Sequence, residues 1–218
     1  MSRKKTTLPP HGRKTRRSNR VRARRYLVVC GGEVTEHQYF EYLETTMKDV
    51  VITVISKTLA PAQLADYAME LKHDDERDND DPRDRYACVF VVVDVDDFHD
   101  HAQAQRTCTR SGMHLVISNP CFEVWLIDHV RSCPPSYTIT ADVEKYAAKL
   151  QVTTGPRNKY INLTLVEGHI QDAIGNAHRH NSSEKAVLRH QLIPRKASDY
   201  APWTDMAGVI EILNADSM

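Results

Sequence analysis

Three carboxylates at the end of one hydrophobic segment are the clearest sign of chemistry in this chain. Asp94, Asp96 and Asp97 follow residues 87–93, which are all apolar and mostly β-branched. This run is too short for a stable helix and predicts a strand buried on both faces of a sheet. Asp94 and Asp96 are two residues apart on an extended chain, so their side chains point to the same side and suit a hard cation such as Mg²⁺. The alternative is a solvated acidic loop after a core strand.

A second acidic pair follows another predicted strand. Residues 26–30 are apolar and end at a pair of glycines, after which come Glu33 and Glu36. In an open α/β sheet the carboxyl ends of such strands can lie side by side, and ligands bind there. Carboxylates that converge in this way repel each other unless cations lie between them. The sequence therefore predicts a Mg²⁺ or Mn²⁺ site for metal-assisted phosphoryl transfer, with ligands from Glu33, Glu36, Asp94, Asp96 and Asp97.

The elements that must position these carboxylates alternate along the chain. Hydrophobic periodicity predicts strands at 26–30, 50–55, 87–93 and 114–117. Between and after the strands it predicts helices that begin near Thr35, at Pro61, at residue 98 and at Pro120, with an exposed loop at 73–85. This alternation is typical of an α/β fold with a mostly parallel, doubly wound sheet. Further helices at 139–150, 162–180 and 204–214 predict a helical C-terminal extension, so we expect an α/β core at 26–135 and an extension at 136–218.

The charge distribution points to a polyanionic partner. The net charge is zero, but residues 1–25 hold eleven Lys and Arg and no acid, which leaves 18 basic against 29 acidic residues downstream. A basic arm, including Arg22, Arg24 and Arg25, is suited to contacting nucleic acid; the alternative is a disordered, solubilising tail. No apolar stretch approaches the roughly 20 residues of a membrane span, and no secretory signal is evident. The five cysteines lack paired spacing, which indicates reduced thiols in a cytoplasmic protein.

Four further side chains are candidates for the site, each with a structural alternative. Ser118 and Asn119 follow a predicted strand and could contact phosphate, or could form the turn before Pro120. Lys159 could stabilise the charge that develops on phosphate, or could be an ordinary surface lysine. Glu123 could reach the metal ions, or could favour the N-terminus of its helix.

Three segments of the chain resemble the RloB proteins. These are Tyr26–Phe40 (YLVVCGGEVTEHQYF), Asp94–Asp97, and Ser118–Leu126 (SNPCFEVWL) followed by His129. RloB proteins have the Toprim fold and are associated with bacterial restriction and abortive-infection loci, often beside a partner ATPase called RloA. The resemblance implies a metal-dependent nuclease that cleaves RNA, tRNA included, or DNA in anti-phage defence. It also favours Glu123 as part of the site.

One position departs from the family pattern. The first RloB motif usually reads C-E-G-E-x-T-E, and its leading Glu is the usual Toprim catalytic acid, whereas this chain has Gly31 there. Glu33 and Glu36 remain as a ligand and a base, and we expect Glu36 to take the lost role because packing of a helix fixes its direction. The alternative is a catalytically weakened nucleic-acid-binding or sensor subunit that acts with a partner ATPase. The sequence leaves the oligomeric state open.

Overall fold

A five-stranded sheet forms the centre of the protein. The structure is a computed structural model and describes residues 23–95, 98–192 and 194–215. The strands lie in the order β2-β1-β3-β4-β7, and the first four are parallel, whereas β7 pairs with β4 in the antiparallel sense. Their bounds are β1 (Arg24–Cys30), β2 (Val50–Ser56), β3 (Tyr86–Asp94), β4 (His114–Asn119) and β7 (Trp203–Thr204).

Helices cover both faces of this sheet. The bounds of the helices in the described residues are α1 (Thr35–Thr46), α2 (Pro61–Asp78), α3 (His101–Arg110), α4 (Glu123–Asp128), α5 (Thr140–Lys149), α6 (Leu163–Val166), α7 (Ile170–His180), α8 (Ser183–Gln191) and α9 (Met206–Ala215). A small hairpin of β5 (Thr153–Thr154) and β6 (Tyr160–Ile161) lies outside the main sheet. Short 3-10 turns occupy Pro82–Asp84, Pro156–Asn158 and Pro194–Tyr200.

Alternating side chains of the central strands explain the two hydrophobic cores. In β3, Phe90 and Val92 belong to the larger core, which includes residues of α1, α4, α5, α7 and α9. Val89, Val91 and Val93 face the other core, which includes residues of α2 and α3. The prediction that this strand is buried on both faces is confirmed, as is the mostly parallel α/β fold of Toprim type with C-terminal helices.

The first strand begins earlier than the sequence predicted. Arg24 and Arg25 belong to β1, not to a basic arm. The Arg25 guanidinium lies 2.9 Å from Asp75 Oδ1 and packs over the Tyr86 ring at 4.4 Å. The charge of Arg25 is therefore paired within the fold, and its expected contact with nucleic acid stays a prediction. Arg24 is exposed, but its backbone N–H donates to Asp49 O. Arg22 lies outside the described residues.

Several predicted boundaries also change. Helix α1 begins at Thr35 as predicted, whereas α2 continues to Asp78 through about half of the predicted 73–85 loop. The predicted 162–180 helix is divided into α6 and α7. Helix α8 and the short strands β5, β6 and β7 were not predicted from the sequence. None of the described helices is long and apolar enough to cross a membrane.

Candidate active site

A cleft of about 350 Å³ opens where β1 and β3 end. These strands are parallel neighbours, so their carboxyl ends meet at one edge of the sheet. The chain leaves β1 through Gly31–Val34 and enters α1, whereas it leaves β3 at Asp94. The charged groups that line the cleft are Glu33, Glu36, Asp94, Glu123 and Lys159. The structure therefore brings Glu33 and Glu36 of the first predicted acidic cluster to the same cleft as Asp94 of the second.

Glu36 is the most deeply placed carboxylate of α1. Its residue is only 6 % exposed, and its carboxylate lies directly against Gly32, where a Cβ atom would overlap it. Burial raises the pKa of Glu36 to about 7, backbone N–H groups of Glu36 and Gly32 oppose that rise, and the charge of Glu123 adds to it. A carboxyl group with this pKa is suited to exchange protons near neutral pH.

The charges of Glu36 and Asp94 both act on the buried thiol of Cys30 at the end of β1. Burial raises the pKa of Cys30 to about 12, a hydrogen bond with Ser56 opposes the rise, and the charges of Glu36 and Asp94 add to it. This thiol is therefore protonated at neutral pH. Because the thiolate is the nucleophilic form of cysteine, this raised pKa disfavours Cys30 as a nucleophile.

Glu123 and Lys159 form an ion pair in the lining of the cleft. Glu123 opens α4 and is 2 % exposed. The Lys159 Nζ donates to Glu123 Oε1 at 3.1 Å and to Glu144 Oε1 at 2.6 Å. Burial alone lowers the pKa of Lys159, but the two carboxylates outweigh it and raise that pKa above its ordinary value. Lys159 is therefore a permanent cation in the site.

Helix α1 holds the segment that carries Lys159. The Thr35 hydroxyl donates to the Lys159 carbonyl oxygen at 3.0 Å, and the Ile161 N–H donates to Gln38 Oε1 at 3.0 Å. The turn that leads into Lys159 uses left-handed backbone conformations at Arg157 and Asn158, with φ values of 56° and 53°. The hairpin is thus attached to the same helix that positions Glu36.

The remaining predicted site residues differ in their placement. Glu33 is exposed at the rim of the cleft, where its Oε1 accepts a hydrogen bond from the Thr58 hydroxyl at 2.9 Å. Ser118 and Asn119 do not line the cleft, and the predicted phosphate contact is corrected for both. Ser118 Oγ lies 3.1 Å from Thr204 Oγ1, and Asn119 Nδ2 donates to the Ala197 carbonyl oxygen at 2.7 Å, so they anchor the C-terminal segment. Asp96 and Asp97 lie outside the described residues.

Two residues of the site were not anticipated from the sequence. Glu144 on α5 shares Lys159 with Glu123, although 21 residues separate the two acids along the chain. Phe98, which is 44 % exposed, forms part of the cleft lining a few residues after Asp94. An aromatic residue just beyond the acidic segment was the available signal for Phe98, whereas no local pattern marks Glu144.

The donor atoms of the cleft match a hard divalent cation in type. Glu36, Asp94 and Glu123 offer carboxylate oxygens, which Mg²⁺ prefers. The pKa of Glu36 is raised mainly by burial, and the charge of Glu123 adds to that rise. In the described part of the chain no three His, Cys, Asp or Glu side chains are close enough to hold a metal ion as a group. Asp96 and Asp97 are the next acids along the chain after Asp94. In this structure Lys159 neutralises the charge of Glu123.

The fold and the cleft together define an α/β protein of Toprim type with an acidic site at its strand ends. Comparison with protein families gives a match to the family described as RloB-like protein over residues 26–213. Since this match covers most of the chain, the protein belongs to the RloB-like family. Neither the curated proteins nor the solved structures provide a match.

Proposed function

We propose that this protein is a metal-dependent endonuclease that cleaves phosphodiester bonds. The observation that carries the proposal is the cleft in which Glu36, Asp94, Glu123 and Lys159 meet at the strand ends. Phosphoryl transfer needs positive charge on the phosphate and a group that accepts the proton of the attacking water. Lys159 supplies one positive charge, and the surrounding carboxylates are suited to hold Mg²⁺ or Mn²⁺.

The chemistry is divided among the residues of the cleft. Asp94, Glu123 and Asp96, the next acid along the chain, would hold the divalent cation, which would supply charge neutralisation and acidify water. Glu36, with a pKa of about 7, accepts the proton of a water whose oxygen attacks phosphorus. The P–O bond to the leaving sugar oxygen breaks, and that oxygen takes a proton from solvent water. The Lys159 Nζ would donate a hydrogen bond to a non-bridging phosphate oxygen.

The substrate and the biological setting follow from the family and from the charge of the chain. We propose nucleic acid as the substrate, either RNA such as tRNA or DNA. RloB-like membership supports a role in bacterial anti-phage defence with a RloA-type ATPase partner in the cytoplasm. The basic residues of the N-terminal segment, which lies outside the described residues, supply the charge for phosphate contacts.

A cleavage assay with matched variants tests the proposal. Purified protein is incubated with tRNA, single-stranded DNA and duplex DNA in the presence of Mg²⁺, Mn²⁺ or EDTA. We expect cleavage of at least one substrate only with the metal, and a loss of roughly 10²-fold or more in Glu36→Gln. Glu41→Gln on the exposed side of the same helix is the control and should retain activity. Cleavage that persists in EDTA or in Glu36→Gln would refute the mechanism.

A nucleic-acid-binding or sensor subunit without catalysis is the second candidate. Two observations favour it: Gly31 replaces the usual family acid, and Lys159 already neutralises Glu123. Gly31 is open to substitution, because a Cβ there meets nothing within 4 Å and its φ is not in the left-handed region. Binding without cleavage in the wild type, together with cleavage by Gly31→Glu, would establish this second function. Little added activity in Gly31→Glu is expected if Glu36 has taken over the role.

A further inference from the structure

Strand β2 forms one edge of the sheet and has an unusual composition for an edge strand. Among the described residues no strand pairs with this edge of the sheet. The strand reads VVITVIS and holds neither a charge nor a proline, and its Val51 is 39 % exposed. Uncharged apolar edges are templates for pairing with another chain, and proteins normally cover or interrupt them.

The hydrogen bonds to β1 identify the backbone groups that β2 presents outward. The Arg24 N–H donates to Asp49 O at 2.8 Å, and the Lys57 N–H donates to Cys30 O at 3.0 Å. Successive residues of a strand direct their backbone groups to opposite sides. The odd-numbered residues of β2 therefore face β1. The N–H and C=O groups of Val50, Ile52, Val54 and Ser56 face away from the sheet.

We propose that β2 pairs in the antiparallel sense with β2 of a second copy of this chain, about a twofold axis at Thr53. In this register Ile52 lies opposite Val54 of the second copy, and Val50 lies opposite Ser56. All four residues present outward backbone groups, so these pairs exchange hydrogen bonds. Thr53 lies opposite its own counterpart at a non-hydrogen-bonded position, where side chains are closest and Thr–Thr pairs are favourable.

The charges that flank the strand select this register. Asp49 and Lys57 are both exposed. The pairing about Thr53 sets Asp49 of each copy opposite Lys57 of the other copy, so one dimer contains two such pairs. Moving the axis by one residue, to Ile52 or Val54, separates them. On the face away from α1, the exposed Val51 gains Ile55 of the second copy as a neighbour. Charge complementarity and apolar burial thus point to the same arrangement.

The pairing makes a continuous ten-stranded sheet from two five-stranded ones. Because β2 runs parallel to β1 and β3, the antiparallel contact sets the two clefts at opposite edges of the joined sheet. The two sites are therefore separate, and the dimer can be tested without reference to nuclease activity.

Sedimentation velocity tests the pairing. We expect the wild type to be a dimer in the micromolar range and Thr53→Lys to be a monomer, because two ammonium groups would then meet at the axis. Val187→Lys, at a 56 % exposed position of α8, controls for added charge and should remain dimeric. A monomeric wild type, or a Thr53→Lys variant that stays dimeric, would overturn the proposal.

A charge reversal tests the register. Lys57→Glu sets a carboxylate against Asp49 of the second copy and should raise the dimer dissociation constant about tenfold. Lys48→Glu makes the same change in net charge, but residue 48 lies opposite Thr58 and should leave the constant unchanged. Equal weakening by both variants would contradict the Thr53-centred register.

A disulfide test locates the axis directly. Residues opposite each other at a non-hydrogen-bonded position have Cα atoms about 4.5 Å apart, within the range a disulfide spans. Thr53→Cys should therefore form a covalent dimer on mild oxidation, which reduction reverses, whereas Val187→Cys should not. Absence of cross-linking in folded Thr53→Cys, as judged by its circular dichroism, would contradict the axis.

Discussion

At Gly32, the absence of a side chain makes room for the Glu36 carboxylate. A Cβ atom at residue 32 would overlap that carboxylate, whereas a Cβ at Gly31 meets no atom within 4 Å. These adjacent glycines therefore have different roles, although the sequence presents them as a simple pair that ends a strand. Gly32 admits the carboxylate that we assign as the base, and Gly31 leaves open space in the cleft.

The two glycines provide a matched test of the site. We expect Gly32→Ala to displace the Glu36 carboxylate and lower the cleavage rate by about 10²-fold, since small misplacements of a reacting group have effects of this size. Gly31→Ala should leave the rate close to that of the wild type. Equal rates for the two variants would show that the Glu36 position is not critical.

His129 is a buried histidine with both ring nitrogens engaged. Nδ1 donates to the Trp125 carbonyl oxygen at 3.0 Å, so Nε2 must accept the Tyr39 hydroxyl at 3.2 Å. Burial lowers the pKa of His129 to about 4, and the Trp125 carbonyl opposes that decrease. The ring is thus neutral and structural.

The lowered pKa of His129 predicts an acid-dependent loss of stability. The unfolded chain binds a proton at about pH 6.5, whereas the folded protein binds it only near pH 4. The unfolded state therefore holds more protons in this window, and stability falls as the pH decreases. In urea unfolding between pH 7 and 5, we expect His129→Gln to lose about 2 kcal/mol less than the wild type. An identical pH dependence would contradict the shift.

At the scale of elements, the β5–β6 hairpin closes one side of the cleft. Lys159 comes from this hairpin and joins Glu123 on α4 to Glu144 on α5. Without Lys159 the Glu123 carboxylate, which is 2 % exposed, would lose its cation. The ion pair therefore ties three elements together around the proposed site.

A double-mutant cycle tests this connection. Because the Lys159 side chain is 39 % exposed, solvent screening reduces the effect, and we expect Lys159→Met to destabilise the protein by about 1–2 kcal/mol. Combining it with Glu123→Gln should recover about 1 kcal/mol, since the unpaired charge is then removed. Lys149→Met, at an exposed position of α5, should have little effect on urea unfolding. Strictly additive changes would indicate that the pair does not stabilise the fold.

At the scale of the whole molecule, the N-terminal basic residues are the feature most directly suited to nucleic acid. Since Arg24 and Arg25 belong to β1, deletion of residues 1–22 removes the basic segment and leaves the strand intact. We expect this truncation to weaken nucleic-acid binding and to flatten the plot of log affinity against log salt, because fewer phosphates are neutralised. An unchanged slope would assign the segment to solubility or to partner docking.

The sequence alone determined the features that depend on neighbours along the chain. Short β-branched runs predicted β1, β2 and β3, because a strand buried on both faces needs a nearly continuous apolar segment. Acids after two of these strands located the cleft, since parallel strands end at the same edge of a sheet. These patterns are local. The structure confirms the three strands, and Glu36 and Asp94 line the same cleft.

Only the tertiary structure decided the contacts between distant segments. Lys159 and Glu123 form an ion pair although 36 positions separate them in the sequence. Ser118 is buried against Thr204, which is 86 positions away. The two-residue strand β7, which covers Ser118, is too short to have a periodicity of its own. Such contacts depend on which elements pack against each other in the folded protein. The spacing of residues within one helix or strand does not predict this.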